Sequence, residues 1–357
     1  MWILAVVVPV TFVAACASPQ AATRSPSSSA VGSSSPVAPA ATAADQALQP
    51  VLACGSTNLD KNAAAASSPV AGGSGGVPKP EGSGASEPLA PEPSVAPSGP
   101  VQVGAYADLV AANRAYVSYA ASTLRILSAD VATLQADLAR SDLASARRDW
   151  LAAELDWERV GASYDSFGDL GLAVDGLPDG LPAGVNDPRF TGLHRLEYGL
   201  CHSQDAATLL PIANRLATDV ASVSAHLDDR ALAGDPTILP LRAHEILEDA
   251  LRDHLSDIDD EGAGAAFAET SADVDATRTV LGELAPLMEA HDPSLVATAT
   301  TQMNDLAAAL QAAKQSGQWL APAATPLAAR QRIDAAMGQL LETLAPVPEL
   351  LSEPAGG

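Results

Sequence analysis

Basic side chains are scarce in this chain: 19 Lys and Arg stand against 43 Asp and Glu, a net charge of −24 at pH 7. Nucleic-acid binding needs a clustered positive surface, so no nucleic-acid partner is expected. Cysteine is nearly absent, with three residues and no CxxC spacing, which removes a zinc-knuckle reading. Also missing are a glycine-rich phosphate loop, a GxSxG elbow and an HExxH zinc signature. Nucleotide binding, serine hydrolysis and zincin-type proteolysis therefore have no support. Aromatic residues make up only 4%, so any core must be built mainly from Leu, Val and Ala. No sustained apolar/polar alternation marks a strand.

The remaining composition is uneven along the chain. Residues 1–16 read as a lipoprotein-type signal segment: an apolar run too short to span a bilayer, ending in Val13-Ala14-Ala15-Cys16. It lacks the usual positive start, since Met1 to Leu4 carry no Lys or Arg. A lipid on Cys16 would anchor the chain to a membrane, and an ordinary cleaved signal with Cys16 incidental is the other reading. Residues 17–100 are rich in Ala, Ser, Pro and Gly and read as a disordered linker, because such sequence buries too little apolar surface to offset its ordering entropy. Export would permit a disulfide between Cys54 and Cys201; two free thiols are the alternative.

Residues 101–351 form the expected folded domain, followed by a short tail at 352–357. Apolar residues from Tyr106 to Leu138 recur at three-and-four spacing, which predicts a long amphipathic helix. A second helix, with Ser141 as expected N-cap, carries Glu154 and Glu158 beside Trp150 and Trp157. Carboxylates on an apolar helix face need partners, and Arg147 or Arg195 could supply them. Residues 164–188 break the pattern with repeated Gly and Pro and carry Asp165, Asp169, Asp175 and Asp179. Long loops inside compact domains are often functional. Further helices are expected over 211–229, from Asp235-Pro236 onward, and over 264–290, 293–315 and 326–344.

Within this framework, His194 and Glu197 stand three residues apart, on one helix face. Their spacing suits a metal-binding pair, a base with its orienter, or an ordinary helical ion pair. His244-Glu245-Ile246-Leu247-Glu248-Asp249 is a second concentration of such groups.

Trp157-Glu158-Arg159, Phe167-Gly168-Asp169-Leu170, Asp175-Gly176, the run Asp187 to Leu200 and the segment His244 to Asp249 together resemble the imelysin-like family, and within it the EfeO-type iron-uptake lipoproteins of the short form without a cupredoxin domain. The resemblance implies an all-α fold of two four-helix bundles. It implies an exported, extracytoplasmic protein at the cell surface or in the periplasm that binds iron, as Fe2+ or Fe3+, with zinc or copper as other ions the donors would accept. It further implies an iron permease, to which the metal is handed, and a haem-dependent peroxidase as partners. The family's GxHxxE motif falls on Gly192, His194 and Glu197; its other metal-site acids fall on Glu158, Asp175 and Glu248. Relatives often carry a second glutamate three residues after the one matched by Glu158, where this chain has Gly161, so Glu154, one turn before Glu158, is a possible substitute. No catalytic residue is assigned. An HxxE metallopeptidase and a metal-free helical scaffold remain the alternatives.

Overall fold

The computed structural model describes Cys54 and residues 103–163, 166–227 and 235–352. The signal segment with Cys16, and all of the linker except Cys54, lie outside the described residues.

The described part is all-α. Helix α1 (Val103–Ala139) runs antiparallel to α2 (Leu143–Val160), and α4 (Gly192–Cys201) and α5 (Ala206–His226) pack with them as one bundle. Between α2 and α4 lies the short helix α3 (Asp169–Asp175). The second bundle comprises α6 (Leu239–Arg252), α7 (Ala266–His291), α8 (Pro293–Ala312) and α9 (Leu327–Leu344), with α10 (Val347–Ser352) against α6. Helix α7 also packs on α1 and α2, so the two bundles share it. Among the described residues no helix is long and apolar enough to cross a membrane.

The aliphatic stripe of α1 forms the spine of the core. Leu124, Leu127, Val131 and Leu134 are fully buried, and each such side chain contributes about 1.5–3 kcal/mol by leaving water. At the end of α2, Tyr116 of α1 donates its hydroxyl hydrogen to the carbonyl of Val160, satisfying a terminal acceptor. Two helix starts differ from the sequence reading. Asp142, not Ser141, caps α2, because its Oδ1 accepts the Ser145 N–H at 3.1 Å while Ser141 takes a left-handed φ of 59°. Helix α5 begins at Ala206, ahead of Pro211, since Asp205 accepts the Thr208 N–H at 2.8 Å. The hydrogen bond that Pro211 cannot donate falls at exposed Ala207, where water reaches the carbonyl.

Candidate metal centre

Four segments bring the site together where the bundles meet. Helix α2 contributes Glu154 and Glu158 from one face, a turn apart, and α3 ends in Asp175. Helix α4 supplies His194 and Glu197. The α6–α7 loop and α7 add His254, Asp259, Glu269 and Asp273. Trp150 Nε1 donates to the Leu193 carbonyl at 2.9 Å, and Arg147 donates to the Leu200 carbonyl at 2.9 Å, so α2 grips α4 near both ends. Arg147 is thereby committed to backbone. Arg195 lies over the Tyr198 ring, and the acids of α2 find histidines instead of either arginine.

Around His194, Glu197 Oε2 lies 3.2 Å from Nδ1 and Asp175 Oδ1 lies 3.4 Å from Nε2. The other oxygen of Glu197 accepts the N–H groups of Glu261 and Ala263, at 3.0 and 2.9 Å. Both carboxylate oxygens are thus engaged, and the imidazole is held with Nε2 toward Asp175. Glu154, only 1% exposed, completes a group with Asp175 and His194 whose ligand atoms all lie within 4.8 Å of one another. Its Oε2 makes no hydrogen bond. At Gly161 φ is 75° and a Cβ would lie 2.9 Å from the Tyr116 hydroxyl. A side chain does not fit there without rearrangement, and Glu154, two turns earlier on α2, joins the group instead.

The centre borders a cavity of about 240 Å³. Glu158, Asp175, His194, His254, Asp259 and Asp273 all line it. Glu158 faces His254 Nε2 at 3.5 Å and groups with His254 and Asp273. Glu248 does not join them. It pairs with His244 Nδ1 at 3.1 Å, with its side chain 46% exposed. The reason is helical phase: Ile246, Asp249, Ala250 and Asp253 of this stretch face the cavity, and Glu248 is turned about 100° from Asp249.

The electrostatics are those of acids crowded in a place of low dielectric. Burial pushes the Glu158 and Asp175 carboxyls up to about 7 and Glu197 to about 8. Glu154 and Glu269 are also raised well above the usual carboxylate range by burial, with neighbouring acids adding to it. Burial works to lower both histidines, but the facing carboxylates override it: Asp175 and Glu197 hold His194 up, and Asp259 with Asp273 holds His254 up. Near neutral pH the cluster therefore retains protons that a metal ion could replace.

Sequence reading missed His254, Asp259, Glu269 and Asp273. The available signal was Glu269 and Asp273 four residues apart within a run of Ala, Phe and Val, the same kind of misplaced acid pair as Glu154 and Glu158.

Residues 112–347 match the Imelysin (Peptidase_M75) family. The chain belongs to the imelysin family. The iron uptake system component EfeO of Escherichia coli K12 and that of Shigella flexneri are each 26% identical to it over 140 residues, 39% of this chain and 37% of those proteins. The EfeO of Escherichia coli O157:H7 matches to the same extent. The chain thus spans well under half the length of the curated relatives it matches. The all-α architecture and this membership agree with the resemblance carried by the His194 segment.

Proposed function

We propose that this imelysin-family chain is an exported metal-binding component of a bacterial iron-uptake system. Iron is its cargo, bound by His194 Nε2, Glu154 and Asp175. The observation that carries this reading is the buried group of one imidazole and several acids, none of them balanced by a lysine or arginine ion pair among the described residues. A nitrogen with carboxylate oxygens suits iron and would also accept zinc or copper, and relatives named as iron-uptake components favour iron.

Glu197 in this reading orients His194 rather than binding the ion. Its hydrogen bond to Nδ1 fixes the tautomer that leaves Nε2 open, as a carboxylate behind a metal-bound histidine commonly does. The same engagement argues for binding over hydrolysis: with both Glu197 oxygens occupied, the HxxE motif has no carboxylate of its own to activate water. Transfer to an iron permease, work beside a haem-dependent peroxidase, and anchoring through a lipid on Cys16 belong to the same proposal. The Cys54–Cys201 disulfide supports an extracytoplasmic location, because such bonds persist in oxidising compartments.

The deciding experiment is metal analysis and thermal unfolding of the purified chain with Fe(II), Fe(III), Zn(II) and Cu(II), beside its His194→Ala variant. Stoichiometric binding with a rise in Tm, lost in the variant, is expected. No bound metal and no shift with any of the four ions would sink the proposal.

A further inference from the structure

The surroundings of His254 repeat those of His194. At His194 one carboxylate, Glu197, engages Nδ1, while Glu154 of α2 and Asp175 of α3 group with the imidazole. At His254 Asp259 engages Nδ1, while Glu158 of α2 and Asp273 of α7 lie 3.5 and 3.1 Å from Nε2. Successive turns of α2 serve the two histidines in order, Glu154 the first and Glu158 the second.

At Nε2 of each imidazole the carboxylate oxygens stand at ion-pair distance. Asp175 Oδ1 beside His194 and Asp273 Oδ2 beside His254 are both buried atoms with no hydrogen-bond partner. Buried oxygens left this way cost stability unless something else satisfies them. A cation between the imidazole nitrogen and these oxygens does so.

We propose that His254 Nε2, Glu158 and Asp273 form a second cation site, for a first-row divalent ion, in the same cavity as the His194 site. Asp259 orients the imidazole from behind, and Glu269, 3.7 Å from Nδ1, supports it. The chain then holds two ions side by side, each on one histidine. This goes beyond the single-ion reading of His194 and does not depend on which metal is the cargo.

The test is equilibrium dialysis of the full chain against Co(II) alone, with metal analysis, and proton NMR of hyperfine-shifted imidazole N–H signals. The wild-type chain is expected to bind two equivalents and to show shifted signals from two histidines. His254→Ala and Asp273→Asn should each retain one equivalent, at His194; the near-isosteric Asp273→Asn carries the test if His254→Ala loses its helical circular dichroism. One equivalent in the wild type, lost in His194→Ala and kept in both His254-site variants, overturns the second site and leaves the proposed function standing. One equivalent lost in the His254-site variants and kept in His194→Ala supports the second site and removes the His194 reading. Two equivalents unaffected by either His254-site variant also overturns the inference.

Discussion

Gly192 passes so close beneath the carbonyl of Val174 that a Cβ on it would lie 2.1 Å from the oxygen. This contact clamps the end of α3 onto the start of α4, and so sets Asp175 beside His194. Gly192 also adopts φ 86°, where L side chains are strained. The glycine of the GxHxxE motif is therefore a packing requirement of the site.

Gly192→Ala is expected to lose about 2–4 kcal/mol of stability, from the backbone clash together with the unfavourable φ. Metal affinity should fall with it, because Asp175 is displaced from His194. Urea unfolding beside a metal titration measures both; wild-type values would show that α3 and α4 are not coupled through this contact.

Glu197→Gln separates orienting from binding. The amide oxygen can still accept from Glu261 and Ala263, but the amide NH2 would then face His194 Nδ1 and favour the tautomer with its proton on Nε2. Metal affinity is expected to drop about 10–100-fold with little loss of fold. Glu248→Gln should leave affinity unchanged, since that side chain pairs with His244 at the surface. If Glu248→Gln weakens binding while Glu197→Gln does not, the assignment is wrong.

The metal-free chain should become less stable as pH rises from 5 to 8. Glu158 and Asp175 are held at about 7 and Glu197 at about 8, above the ordinary carboxylate value of about 4, so between these limits the folded state binds more protons than the unfolded state. The raised histidines act in the same direction: above their unfolded value the unfolded chain gives up the proton while the folded chain keeps it, so the stabilisation declines as pH climbs toward the folded value. Added metal replaces these protons and should flatten or reverse the trend. Thermal unfolding at pH 5, 6, 7 and 8, with and without Zn(II), tests this; rising metal-free stability over that range would contradict it.

The disulfide joins Cys54 to Cys201 at the end of α4, closing a span of 147 residues. Reduction, or Cys54→Ser, is expected to cost about 2–5 kcal/mol through the freed unfolded chain. An unchanged Tm in reductant would indicate that the bond contributes nothing to the native state.

The helical class, the long α1, the start at Asp235 and the placing of His194 and Glu197 on one helix were all legible as local patterns. Periodicity, capping chemistry and motif spacing act over a few residues, so one chain written out in order suffices to read them. The sequence alone also pointed to Glu154 and Glu158 as acids on an apolar face that required partners. Which partners they found was decided only by the packing of α2, α3, α4 and α7, because His194 and His254 are remote from them along the chain. The same packing turned Glu248 outward by helical phase and brought in His254, Asp259, Glu269 and Asp273, whose roles depend on which helix faces the cavity. A histidine and a glutamate three residues apart are local information; the convergence of acids from separate helices on each imidazole is a property of the tertiary structure.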